Sequence, residues 1–348
     1  MTVHSLRPGA GPASSRIFLP ASFALFLLSL VLAVFFGVVD LPPGDVAATL
    51  LGHGSPEAQA IILDIRLPRI ATGVLAGIHF ALAGFLLQNI TRNPLADPSL
   101  VGISQGATLS VTLFLLFGAH AYAPGSSAQI TEIPLHWLPG IGLLGGLAAC
   151  VVVYALALQA DLGPLRLTLA GIAVGAVLHA VAIGLIAGWG STRIEVLLEW
   201  LSGSLYARTW RHAVFLLPFT IVGLAVLPLI RRPLDLLSLS TPVARSFGLA
   251  YRPAFSLVLL LSACLASSAV GVVGPIVFVG LIVPHFACFV AGRHSALRLP
   301  LTITLGAVTV TLADLVGRLA GQADEIPIGV VTALCGVPVL IALLRKTP

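Results

Sequence analysis

Long apolar runs separated by short polar stretches dominate the chain. A hydrocarbon core of about 30 Å needs roughly 20 apolar residues at about 1.5 Å each, so such runs predict membrane-crossing helices. The predicted spans are Ile17–Val39, Leu67–Ile90, Leu100–Gly118, Trp137–Leu158, Leu165–Trp189, His212–Ile230, Pro253–Val272, Gly274–Ala291, Leu299–Ala320 and Ile328–Leu344. The first exceeds a signal-peptide apolar region of about 7–15 residues, so it reads as an uncut span. One more segment, Thr192–Leu205, is too short and too polar to cross. Its apolar positions Ile194, Val196, Leu197, Leu198 and Leu201 suit a short helix near the membrane interface, about 192–205.

Composition confirms the class. Of 348 residues, 58% are hydrophobic and only 9% are charged, with a mean hydropathy of +1.06. Soluble proteins carry about 25% charged residues, so a water-soluble enzyme or a DNA-binding domain is excluded. An outer-membrane barrel would alternate over strands of about ten residues and carry aromatic girdles; here aromatics are 7% and the apolar runs are continuous. The fold expected is an all-α polytopic membrane protein of about ten transmembrane helices, one domain over residues 1–348.

Charge assigns sides. The pI is 9.4, but the basic residues are scattered between apolar runs, with no stripe that would suit nucleic acid. Ten spans put both termini on one side, and with the termini inside the basic residues divide twelve inside against six outside. Cytoplasmic segments carry the excess of Lys and Arg, so both termini are expected in the cytoplasm. The four cysteines form no CxxC or His/Cys spacing and read as structural thiols, and no metal site is predicted.

Specific blocks sharpen the picture. The second span opens on Arg66-Leu67-Pro68-Arg69 and closes on Gln88 followed by RNPLADP, where Pro94 and Pro98 shape a tight turn. The block Gln-x-x-x-RNPLADPxLxGxxxGA, with GPIxFVGLIVPH and EIPIGVVTALxGxP further on, resembles the permeases of the iron-siderophore, haem and vitamin B12 importers, the type II ABC importer family. The likeness runs in order from about Arg66 to Leu343.

That resemblance implies a bacterial inner-membrane permease working as a homodimer, with two ATPase subunits beneath it and a periplasmic substrate-binding protein above it. The chain has no GxxxxGK followed by Ser or Thr, so ATP and Mg would belong to the partner ATPase, and no cofactor is expected on this chain, which is not read as an enzyme. By resemblance, Arg66, Arg69 and Arg318 form a basic pocket for a glutamate of the binding protein. Arginine suits that task because its planar fork grips a carboxylate bidentately. Interfacial snorkelling, with Asp314 one helical turn from Arg318, is the plainer alternative.

Coupling to the ATPase is expected from a pair of short helices over about 234–250. Thr241-Pro242 is a helix-start signal and Gly248 a stop; the residues carrying the family pattern are Ser240, Thr241, Pro242, Ala244, Arg245, Ser246, Phe247 and Gly248. The translocation path, again by resemblance, runs along Leu165–Trp189 and the 192–205 helix, with Gly171, Gly175, His179, Gly184 and Gly188 as candidate lining. Glu195 and Glu199 read as an exposed helix face at the outer mouth.

His79 and His179 fall in mid-span, where an ionisable residue is a functional hypothesis. Because haem iron accepts imidazole, haem is the favoured cargo, with a ferric siderophore or vitamin B12 as alternatives; a neutral histidine bonded to a neighbouring helix is the competing reading. A secondary transporter is the remaining class, but it would need a coupling acid near the midplane, and the spans offer none. An intramembrane enzyme would need HExxH, GxSxG or a similar set, which is absent.

Overall fold

The computed structural model describes residues 12–122, 135–158, 163–189, 200–292, 295–321 and 325–346. Every element in them is helical: α1 (Pro12–Phe35), α2 (Pro43–Leu50), α3 (Pro56–Gln59), a π-helical stretch (Ala60–Arg66) running straight into α4 (Leu67–Thr91), α5 (Ile103–Tyr122), α6 (Leu138–Leu158), α7 (Pro164–Trp189), α8 (Trp210–Leu237), α9 (Thr241–Ser246), α10 (Tyr251–Val273), α11 (Val279–Ala291), α12 (Ser295–Gly321) and α13 (Ile328–Lys346). All ten expected spans have a helix. Seven are long and apolar enough to cross a membrane by length and composition alone, and the segments Ile103–Phe117, Val279–Ala291 and Ile328–Ala342 are shorter apolar helices.

Two boundaries differ from expectation for clear reasons. The span expected at Gly274–Ala291 becomes helical only at Val279, because Gly274 (φ 77°) and Phe278 (φ 71°) hold the intervening backbone outside the helical region. The first of the two expected coupling helices is not separate. Leu234–Leu237 complete α8, whose 28 residues extend past the expected end at Ile230, with Pro228 and Pro233 inside the helix.

Helix α4 is the axis of the bundle. It packs against α8, α10, α11 and α12, while α5, α6 and α7 form a second layer that joins it through α10. Close helix approach needs small residues: Gly77 lies against the Gly306 backbone of α12, and Gly84 against that of Gly280 in α11, so a Cβ at either position would collide with a carbonyl. Two apolar clusters stack along this axis. One gathers Leu82–Ile90 with α6, α8 and α10, and the other gathers Ala76–Ala81 with α5, α11 and α12. In the 18-residue apolar stretch of each span, 78% of the residues are buried for α4 and for α10, but only 17% for α7.

The bundle has two ends, named here for Arg69 and Arg92 at the opposite ends of α4. Arg66 reaches the last carbonyls of α1, and Glu325, just before α13, reaches Arg69. Pro12 and Lys346, at the far ends of α1 and α13, therefore lie towards the Arg92 end.

Candidate functional site

At the Arg69 end, arginines and carboxylates from α4, α12 and the segment before α13 converge. Arg69 is 8% exposed. Its Nε and Nη2 donate to Asp314 Oδ1 at 3.0 and 2.7 Å, and its Nη1 and Nη2 donate to Glu325 at 2.8 and 2.7 Å. One planar fork thus serves two carboxylates, which is what makes so buried a charge tolerable. Arg318 is 3% exposed, and its Nε lies 3.1 Å from Asp314 Oδ2, the expected pair across one helical turn. Its Nε and Nη2 have no hydrogen-bond acceptor among the described residues.

Arg66 plays a different part. It is 4% exposed, and its guanidinium donates to the Val34 carbonyl at 2.7 Å, to Phe35 at 3.2 Å and to Val39. Val34 and Phe35 offer orphan carbonyls at the end of α1, where a cation also matches the helix dipole, and Val39 lies in the segment that follows it. Of the three arginines read as one basic pocket, the structure brings Arg69 and Arg318 together on Asp314 and uses Arg66 to hold the end of α1. Glu325 escaped the sequence reading as a partner, although it opens the EIPIGVV block.

The described part of the 192–205 segment is buried beside this cluster; residues 192–199, with Glu195 and Glu199, lie outside the described residues. Trp200 and Leu205 are buried, the Ser204 N–H donates to the Val273 carbonyl at 2.9 Å, and the Ile328 N–H donates to Gly203 at 3.0 Å. This segment wedges between the end of α10 and the start of α13.

At the Arg92 end, α9 stands out from the bundle. Ala244 is fully buried and anchors it, while Pro242, Val243, Arg245, Ser246, Phe247 and Gly248 are exposed, Phe247 at 62%. The helix starts with Pro242 in its first turn after Ser240. It stops where Gly248 turns left-handed (φ 77°): Gly248 N–H donates to the Arg245 carbonyl and Leu249 N–H to Ala244, both across the helix end. Arg245 lies over the Tyr251 ring at 5.8 Å, a cation–π contact. The helix and its end thus present two apolar side chains, Val243 and Phe247, beside the basic Arg245.

Helix α7 divides the candidate path residues. Gly171 packs on the backbone of Leu100 and Val101, and Gly175 faces Gly102 and Gln105. His179, Gly184 and Gly188 are exposed. His79 is fully buried, with its Nδ1 3.0 Å from Ser268 Oγ and its Nε2 2.7 Å from Thr220 Oγ1. Both nitrogens are taken by hydroxyls of α10 and α8, so this histidine ties three helices and meets no passing solute. Among the described residues, no three His, Cys, Asp or Glu side chains group to hold a metal ion.

Comparison with known proteins agrees with this architecture. The FecCD transport family matches residues 25–346. The Bacillus subtilis protein named "Probable siderophore transport system permease protein YfhA" is 34% identical over 344 residues, covering 98% of each chain. The ferric enterobactin transport system permease protein FepD of Escherichia coli is 34% identical, covering 97% of this chain and 98% of its own. A solved inward-facing structure described as a metal-chelate type ABC transporter superposes with a TM-score of 0.81 at 28% identity, covering 94% of this chain and 98% of that one.

Proposed function

The chain belongs to the FecCD transport family, and on that premise we propose that it forms, with a second copy of itself, the membrane core of an ATP-driven importer for a ferric siderophore. It is a transport subunit, not an enzyme. The near full-length match to two permeases named for siderophore and enterobactin transport carries the cargo reading. Haem, the cargo favoured from the two histidines, loses half its support because His79 is sealed inside the bundle.

In this reading the Arg92 end faces the cytoplasm of a bacterial inner membrane, in line with the twelve-to-six division of basic residues. Helix α9 enters a cleft on an ATPase that supplies ATP and Mg chemistry. A substrate-binding protein docks at the Arg69 end, and an acidic side chain of that protein meets Arg318, whose Nη2 has no acceptor among the described residues. Cargo passes between the two copies along the exposed surface of α7 that carries Gly184 and Gly188; His179, about two and a half turns before Gly188, lies on another side of the helix.

The test is reconstitution of this chain with its ATPase and binding protein in vesicles. ATP should drive uptake of a radio-iron siderophore in preference to haem or vitamin B12. Selective uptake of haem would overturn the cargo assignment, and ATP-independent uptake would overturn the importer reading.

A further inference from the structure

Arg92 belongs neither to the charge cluster nor to the exposed face of α9, yet three helices meet on its side chain. It follows α4 directly and adopts a left-handed backbone (φ 54°), a conformation that residues with a Cβ rarely take. From there its Nε donates to the carbonyl of Leu237, the last residue of α8, at 3.0 Å. Its Nη2 lies 3.4 Å from Thr241 Oγ1, the first residue of α9, and 3.4 Å from the Tyr251 hydroxyl, the first residue of α10. The Leu237 contact fills an orphan carbonyl at a helix end with a cation, the favoured polarity. The two longer contacts hold the start of α9 and the start of α10 to the same planar group.

The backbone beneath Arg92 is itself fixed. Asn93 Oδ1 accepts from the Leu95 N–H at 3.0 Å, and Asp97 Oδ1 accepts from the Ser99 N–H at 2.9 Å. One turn before Arg92, Gln88 Nε2 donates to the Leu281 carbonyl of α11 at 2.9 Å. The other end of this same helix carries Arg69, clamped by Asp314 and Glu325. Helix α4 is thus a buried strut with a charged clamp at one end and the α8–α9–α10 junction at the other.

We propose that Arg92 is a positioning residue for coupling: it fixes α9 to the end of α4, so that a displacement of α4 at its Arg69 end is delivered to the surface that meets the ATPase, and the reverse. This rests on the importer reading above. Lysine substitutes only in part, because a single ammonium on a flexible stem lacks the fork that spans three partners.

Two measurements on the full chain test it. First, a nitroxide is attached at Val243→Cys on the exposed face of α9, in a background lacking the four native cysteines. Arg92→Ala should sharpen the label's spectrum by freeing α9, Arg92→Lys should do so less, and Tyr251→Phe least. Second, in the reconstituted complex, siderophore molecules moved per ATP hydrolysed should fall about tenfold for Arg92→Ala and be only partly recovered by Arg92→Lys. A purely helix-capping role would lower thermal stability and leave that ratio alone. A freer label with an unchanged ratio, or no change in either readout, overturns the proposal. If Arg92→Ala fails to insert, Arg92→Lys and Tyr251→Phe carry the same comparison. A freer label in a complex whose wild type moves no cargo would instead sink the importer reading and leave the positioning of α9 by Arg92 standing.

Discussion

Arg69 and Asp314 lie 245 positions apart in sequence and meet through two hydrogen bonds to one carboxylate oxygen, the shorter of 2.7 Å. Their side chains are 9% and 4% exposed, and Glu325 closes the other edge of the same guanidinium. The pair joins the start of α4 to the last two turns of α12, which is the most extensive helix contact in the bundle. The pair is therefore a structural tie between the two helices.

Removing Asp314 should be costly because Arg318 is left buried without its ion pair while Arg69 keeps only Glu325. Asp314→Ala is expected to destabilise the fold by about 3–5 kcal/mol, read as a lower thermal midpoint in detergent. Asp314→Ala combined with Arg318→Met should recover much of that loss, because Arg69 keeps Glu325. A double variant as unstable as the sum of the single variants would show that the two side chains do not act as a pair.

Docking at the Arg69 end separates the three arginines. Arg318→Ala should weaken binding-protein affinity by about tenfold, corresponding to about 1.4 kcal/mol, with a larger defect at low than at high salt because the contact is screened. Arg66→Ala should act mainly through stability, since its guanidinium holds the end of α1. Titration of the binding protein against each variant in nanodiscs distinguishes them; equal affinity for Arg318→Ala and wild type at low salt would remove Arg318 from the docking surface.

The tip of α9 should carry the ATPase contact. An exposed Phe247 that becomes buried in a partner is an expected hot spot, so Phe247→Ala should weaken ATPase association by roughly 30-fold, about 2 kcal/mol. Gly248→Ala should disturb the same surface differently, by straining the left-handed residue that ends the helix. Co-purification of the ATPase with each variant reports the outcome, and full retention with Phe247→Ala would show that α9 faces something else.

His79 gives a prediction with two signs. The Thr220 and Ser268 hydroxyls each lie within hydrogen-bond reach of a carbonyl in their own helix, Leu216 at 3.1 Å and Leu265 at 2.9 Å. His79→Leu therefore strands no donor, and should change stability by about 1 kcal/mol or less. His79→Ala leaves a void and should cost about 2–4 kcal/mol. Siderophore uptake should match wild type in His79→Leu; a selective loss of uptake at unchanged stability would restore the histidine to the transport path.

The ten helices were legible from apolar run length because a bilayer offers no water to satisfy a bare backbone, so each crossing segment must close its own hydrogen bonds locally. Local chemistry likewise marked the start of α9 at Thr241-Pro242, its stop at Gly248, and the Asp314–Arg318 pair one turn apart. The beginning of α11 was not legible, because the positive φ angles at Gly274 and Phe278 accompany packing of that segment against Trp200 and Gly203. Nor were the partners of the charges. Sequence alone presented Arg66, Arg69 and Arg318 as three equivalent cations at span ends, and it left His79 and His179 alike. Tertiary structure separated them: Glu325 reaches Arg69 across 256 positions, Arg66 turns to the end of α1, and His79 is enclosed by α8 and α10 while His179 is exposed. The helices follow from the solvent each segment meets and can be read one segment at a time, but a buried charge or imidazole takes its role from groups on other helices, whose approach is set only when the bundle packs.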